Sequence, residues 1–362
     1  MKRQQQKKIN VLMCCSDLKR VKGGMVTMVN NLLAYEGWED CRITYIPTHI
    51  ESNKLIKLMY FGVAYIRIVW ALLFGDISLV HLHVSERGSV YRKAAILKLA
   101  KCFGKKVILH HHGADFEVFY QGLSAKDREY VVRFLEAADR NLVLSEKVKE
   151  NFIRKAPDAK YAVMHNAVTV PAANQYDSEA NLIVTMGRLG ERKGTYDLLK
   201  AIKELDGELP EHIKICLCGD GETEKVREVI REYGLEKRIS HVGWVAGKEK
   251  EEIALHALCH VLPSYREVLP MSILETMALG IPNISTRIAS IPEVIGDGVD
   301  GLLIEPGDVN ALTEALRTLC FHKEVRQEMS VRAYQLMKEE YSVEACSRKM
   351  RGIYKEVLHG EH

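Results

Sequence analysis

The chain contains no CxxC pair, no HExxH, no convincing DxD and no complete GxGxxG. Each absence excludes a chemistry. The nine cysteines (Cys14, Cys15, Cys41, Cys102, Cys216, Cys218, Cys259, Cys320 and Cys346) are odd in number, irregularly spaced and set mainly in apolar segments. They read as free buried thiols in a reducing compartment, not as a disulfide framework. Lack of HExxH removes the usual helix-borne zinc site, and lack of GxGxxG removes the dinucleotide fingerprint. The start, MKRQQQKKINVLMCCSD, has no small-residue cleavage site after its apolar stretch, so INVLMCC reads as a first buried strand instead of a signal peptide. Net charge is also small, at +3, but it is lopsided. Residues 1–180 hold 27 Lys+Arg against 18 Asp+Glu, and 1–110 hold 18 against 7. Such a basic first half suits an anionic partner, or is simply solvated surface.

What is present is an alternation of short apolar runs and helical periods over 362 residues, which predicts an α/β protein with parallel sheets. Strands are expected at 9–14, 43–47, 79–84, 106–110 and 140–144, then again at 182–186, 213–218, 239–242, 260–263, 282–285 and 301–304. Helices are expected between them, among others at 25–35, 92–103, 194–204, 223–233, 248–257 and 272–280. The repeated rhythm implies two doubly wound, Rossmann-like domains, 1–168 and 181–344, with a polar linker at 169–180 and a last helix at 345–362. Ligands of such sheets bind at the carboxyl ends of the strands, which predicts a cleft between the two domains.

Leu55–Gly75 is nearly long enough to span a bilayer, but Lys57 and Arg67 interrupt it. It reads either as a helix partly buried in the first domain or as one lying in a membrane interface. The basic stretch Arg92–Lys106 would add attraction to acidic lipids.

Three stretches carry chemistry. In VTMGRLGERKGTYDLLKAI, a strand ends before Gly187, and Arg188 and Lys193 precede a helix. Two cations at a helix N-terminus suit a diphosphate. CGDGE and HVGWV each place a glycine, Gly219 and Gly243, at a strand end, where backbone approaches a flat ring closely. PSYREVLPMSILETMALGIP sets Glu267 on a loop and Glu275 on the following helix. Glu275 either completes a capping box with Ser272 or, with Glu267, grips hydroxyls of two sugar rings.

The spacing Glu267–Glu275 resembles the E-x7-E signature of retaining glycosyltransferases of family 4, with the GT-B fold of two facing Rossmann-like domains. GRLGERKGTYDLLKAI, CGDGE, SIPEVIGDGVDGLLIEPGD, KGGMVTMVNNLL and HHHGADF resemble further segments of that family, so the likeness covers nearly the whole chain. It implies that Arg188 and Lys193 bind the donor diphosphate, that Glu275 holds the ribose and that Glu267 holds the donor sugar. It also implies that Leu269, Pro270 and Met271, with Gly187, Gly219 and Gly243, line the donor site. Gly23 and Gly24 would approach the diphosphate, and His112 would sit at the reacting sugar. Val268 stands where the family has glycine, so either no positive φ is needed there or the loop is shifted. Asn166-Ala167 likewise replaces the family's Asn-Gly.

The resemblance further implies a nucleotide-diphosphate-sugar co-substrate, no metal or other cofactor, and no nucleic acid partner. A lipid-linked saccharide or glycan acceptor, at the cytoplasmic face of a membrane and in bacterial surface-polysaccharide synthesis, is the expected context. His81 and His83 on one strand and His110, His111 and His112 on another could ligate a metal, but no carboxylate motif accompanies them. A sugar-nucleotide epimerase of the same fold, or an inactive homologue acting as a binding subunit, are the other readings.

Overall fold

The apolar runs become strands covered by helices on both faces, which is why they lack polar alternation. The computed structural model describes residues 8–113 and 116–360. Ala114 and Asp115 of the HHHGADF segment lie outside the described residues. The chain divides into two compact units, one running to Ala167 and resuming at Val343, the other Val168–Ser342.

The first unit holds β1 (Ile9–Cys15), β2 (Cys41–Pro47), β3 (Leu79–Val84), β4 (Lys106–His111), β5 (Arg140–Val143) and β6 (Tyr161–Val163). They form one parallel sheet in the order β2-β1-β3-β4-β5-β6. Its helices are α1 (Gly24–Ala34), α2 (Lys54–Phe74), α3 (Gly88–Cys102), α4 (Phe116–Gln121), α5 (Ala125–Glu136) and α6 (Glu146–Ile153). β3 is buried at every position. The short β6 was not foreseen, since YAV carries too few residues to show a period.

The second unit holds β7 (Leu182–Met186), β8 (Lys214–Cys218), β9 (Ile239–Gly243), β10 (Ala257–Leu262), β11 (Asn283–Thr286) and β12 (Gly301–Ile304). Their order is β12-β11-β10-β7-β8-β9, again all parallel. Its helices are α7 (Thr195–Leu205), α8 (Thr223–Tyr233), α9 (Lys248–Leu255), α10 (Met271–Ala278), α11 (Val309–Phe321) and α12 (Lys323–Leu336). β10 starts three residues before the expected 260 and takes the end of the helix expected at 248–257. A wholly buried run such as ALCHVL shows no polar face from which to tell strand from helix.

Strand order reverses between β1 and β3 in the first sheet and between β7 and β10 in the second. Those switch points open crevices at the strands' carboxyl ends.

Two connecting segments are more anchored than their composition predicts. Residues 169–180 dock on the second unit: Asn174 Nδ2 donates to Ser330 Oγ at 2.9 Å, and Tyr176 O–H donates to the Leu258 carbonyl at 3.0 Å. The last helix, α13 (Val343–His359), belongs to the first unit. Its fully buried Tyr354 lies 2.7 Å from His81 Nδ1, and Arg351 pairs with Glu39 at 2.9 Å.

α2 buries only Ala64, Ile68 and Leu72, one narrow stripe at fourfold spacing. Leu55, Leu58, Met59, Val63, Ile66, Trp70 and Phe74 are each more than half exposed. α2 is thus long and apolar enough to cross a membrane, yet little of it is buried in the protein. Of the basic stretch Arg92–Lys106, Lys98 and Lys106 are exposed, and α3 carries the first part of it. α3 is a core helix that turns Lys93 inward, and Lys101 and Lys106 both pair with Asp139.

Candidate functional site

In the second unit, three strand ends meet as a shelf without side chains. Gly187 N–H donates to the Cys218 carbonyl at 2.9 Å, and Gly219 N–H donates to the Gly243 carbonyl at 2.7 Å. A Cβ on Gly219 would fall 1.6 Å from the Gly187 oxygen, so no other residue fits there. The glycines after β7, β8 and β9 therefore stand side by side, leaving backbone that a planar group can approach.

The loop after β7 is stitched to the loop after β10 across the switch point. Gly194 is left-handed at φ 68°, and a Cβ there would strike the Pro263 carbonyl. Tyr265 N–H donates to the Arg192 carbonyl at 3.0 Å. This stitching brings Lys193 Nζ onto Glu267 Oε1, and Ser264 Oγ lies 3.4 Å from the same oxygen. Arg188, in contrast, is exposed and has no ion pair among the described residues.

α10 starts at Met271, with Pro270 as its N-cap and no side chain capping it. Ser272 therefore lies inside the helix, and the capping box with Glu275 does not form. Proline, fixed at φ −65°, holds the position that a capping serine would take. Leu269, Pro270 and Met271 are buried on the approach to this N-terminus. Its amide groups supply the positive end of a helix dipole at the switch point. Glu275, one turn in, instead pairs with Lys250 of α9. Lys250 was missed by the sequence reading, because nothing in KEKEE distinguishes it from the other charges of that helix start. Val268 does not adopt a positive φ, since Arg87 and Ala289 are the only non-glycine residues that do among those described. Valine is therefore accommodated without backbone strain.

The remaining predicted residues belong to the first unit. Gly23, at φ 134°, is the exposed N-cap of α1, and Gly24 opens that helix with no side chain capping it. His112, half-buried after β4, places Nε2 3.0 Å from His83 Nδ1. His81, His83 and His110 form a buried cluster of nitrogen atoms within 4.8 Å. His81 Nδ1 already faces the Tyr354 hydroxyl, and its Nε2 lies 3.3 Å from His110 Nδ1. Burial pushes His81 down to about 3 and holds His83 and His110 well below the usual imidazole range. These rings are neutral. The structure thus groups the predicted residues in two sets: Arg188, Lys193, Glu267, Glu275, Leu269–Met271 and the three shelf glycines in one unit, Gly23, Gly24 and His112 in the other.

Two six-stranded, doubly wound parallel sheets in one chain are the architecture of the GT-B class. A family model described as Glycosyltransferase Family 4 matches residues 5–170, and one described as Glycosyl transferases group 1 matches residues 169–336. The chain belongs to this family 4 type of GT-B glycosyltransferases. An uncharacterized 41.2 kDa protein in the cps region of Klebsiella pneumoniae is 25% identical over 83% of this chain and 88% of its own length. The lipopolysaccharide 1,6-galactosyltransferase of Escherichia coli K12 is 28% identical over 54% of this chain and 56% of its own. HepE of Anabaena, solved in complex with UDP-glucose, shares the fold at a TM-score of 0.74 with 15% identity, over 96% of this chain and 100% of that one.

Proposed function

We propose that the protein is a retaining, metal-independent glycosyltransferase that moves a sugar from a nucleoside-diphosphate donor, UDP-sugar foremost, to a hydroxyl of a lipid-linked saccharide or glycan in bacterial surface-polysaccharide synthesis. The observation that carries it is the cluster at the β7/β10 switch point, where a glycine shelf, the exposed Arg188, the Lys193–Glu267 pair and a helix N-terminus without a side-chain cap stand together. Arg188, Lys193 and the α10 amides supply positive charge for a leaving diphosphate. Glu267 accepts hydrogen bonds from the donor sugar, and Glu275 from the ribose. In the reaction the bond from the anomeric carbon to the diphosphate oxygen breaks, with its electron pair leaving on the nucleoside diphosphate. The acceptor oxygen bonds to that carbon, and its proton passes to a donor phosphate oxygen. His112 of the first unit would serve the reacting sugar, and Gly23–Gly24 the diphosphate. A relative named as a lipopolysaccharide galactosyltransferase, an uncharacterized relative in a cps region and a neighbour solved with UDP-glucose support the context and the donor.

The exposed apolar face of α2 supports work at the cytoplasmic face of a membrane, with the helix lying in the interface and Arg67 reaching for headgroups.

Thermal-shift measurements with UDP, GDP, ADP, CDP and dTDP, with magnesium or EDTA, test the donor site. One nucleotide should stabilise the protein equally with either. Proton NMR of the product made from an α-linked UDP-sugar should show an α linkage. A β product would end the retaining assignment. A magnesium requirement would end metal independence. Donor interconversion without acceptor would favour the epimerase. Vesicle sedimentation should weaken for Leu58→Ser/Ile66→Ser/Trp70→Ser; unchanged sedimentation would remove α2 from the membrane.

A further inference from the structure

A second crevice lies wholly within the first unit, at the β1/β3 switch point. It is a cavity of about 370 Å3 reached by the ends of β1, β2 and β3 and by the N-terminal turn of α3. Four cationic side chains line it, Lys57, Arg87, Arg92 and Lys93, against one carboxylate, Glu86.

The cations differ in burial: Lys93 is buried, Arg92 and Lys57 are half-buried, and Arg87 is exposed at the rim. Lys93 is 3% exposed, and among the described residues its ammonium donates to the Cys14 carbonyl at 3.2 Å and to Thr48 Oγ1 at 2.5 Å, two partners for three donors. Among the described residues, Arg92 Nε, His83 Nε2 and Glu86 Oε2, all on side chains that line the cavity, are buried without a hydrogen-bond partner. Neither Lys93 nor Arg92 has an anionic partner among the described residues, which a folded chain avoids unless a ligand supplies one. His49, also in the wall, is pushed down to about 4 by its burial and by Arg92, Lys57 and Lys93, so it stays neutral beside them. Arg87 caps α3 at φ 55°, a strained conformation for an arginine, and aims a cation where a glycine would sit more easily. The 15-residue α3 adds its positive end.

We propose that this cavity is a subsite for the phosphate or diphosphate carried by the acceptor. The word acceptor rests on the glycosyltransferase reading; the anion site does not. Arg87 and Arg92 bind phosphate oxygens in bidentate fashion, Lys93 closes the floor and Glu86 accepts from a neighbouring hydroxyl. Lys57 ties the cavity to α2, because it lines the wall while Leu55, Leu58 and Met59 around it are exposed and apolar. A phosphate seated here would leave a lipid chain beside the helix that faces the membrane.

The test is calorimetric titration of inorganic diphosphate in saturating UDP and EDTA, so that the donor site is filled. Wild type should bind, and Arg92→Gln and Arg87→Gly should each bind about tenfold more weakly. Arg87→Gly relieves the positive φ, so it remains folded even if Arg92→Gln does not. Competition then separates the sources. Phosphatidylcholine vesicles with a few per cent polyprenyl phosphate should displace diphosphate better than a soluble hexose 1-phosphate. The reverse order keeps the phosphate subsite and makes the acceptor soluble. Equal binding by wild type and Arg87→Gly, or sulfate binding as tightly as diphosphate, overturns the proposal. If UDP does not bind but diphosphate still distinguishes the variants, it is the donor assignment that has failed.

Discussion

Lys193 Nζ and Glu267 Oε1 form an ion pair whose side chains are 13% and 9% exposed, and the pair joins the loop after β7 to the loop after β10. A diphosphate arriving at this switch point must share the ammonium with Glu267. Removing the carboxylate leaves a nearly buried cation alone, so Glu267→Ala should lose about 3 kcal/mol of stability in a urea melt. UDP returns negative charge to the same place, so it should raise the melting midpoint more in Glu267→Ala than in wild type. The apolar pair Lys193→Met/Glu267→Leu should recover stability with no turnover. A double variant that still turns over would take the pair out of the site.

On the proposed function, Arg188 should isolate the diphosphate interaction from the fold. It is exposed and has no ion pair among the described residues, so Arg188→Ala should melt within about 0.5 kcal/mol of wild type. Its turnover should fall on the order of 100-fold or more, as for loss of a group that meets charge developing on a leaving group. Equal rates in the two proteins would assign the diphosphate elsewhere.

Much of this was legible because parallel strands announce themselves as unbroken apolar runs. INVLMCC, LVHLHV and LIVTM fell where expected, and the strand-end glycines followed from them. Pairings that cross long sequence distances were not legible. Nothing in Lys193 points to Glu267, 74 residues on, nor in Lys250 to Glu275, because sheet order, not spacing, makes them neighbours. The capping box failed for a local reason: Ser272 and Glu275 have the right spacing, but Pro270 sets the N-cap two residues earlier. The inward turn of Lys93 was hidden too, since a helix with basic residues on several faces does not say which of them is buried.

On the proposed function, Glu275 should separate ribose binding from phosphate binding. Its present partner is Lys250 of α9, a contact that a ribose hydroxyl pair would share. Glu275→Ala should weaken UDP about tenfold and leave inorganic diphosphate binding at the second unit unchanged. Lys250→Ala frees the carboxylate and should bind UDP at least as tightly as wild type. Titration calorimetry of the three proteins reads all of this. Parallel loss of UDP and diphosphate in Glu275→Ala would move that residue from the ribose to the phosphates.

Buried neutral histidines make the protein acid-sensitive over a definite range. Burial lowers His81 and His112 to about 3 and His111 and His260 to about 4, and holds His83 and His110 well below the usual range. In the unfolded chain the same rings bind protons near pH 6.5, so below that pH the unfolded state holds more protons than the folded one. Stability is therefore full above pH 6.5 and lost as pH falls toward the folded values, by about 2 kcal/mol for one such histidine at pH 5. Asp139 and Asp40 are held below the ordinary carboxylate range and titrate beneath this window. Asp300, raised to about 6 by burial, works in the opposite direction, because the folded state takes up its proton first. Six histidines outweigh one carboxyl. Melting midpoints at constant ionic strength should drop steeply from pH 7 to pH 5, and a flat profile would mean that the rings are reached by water or paired with an anion in solution.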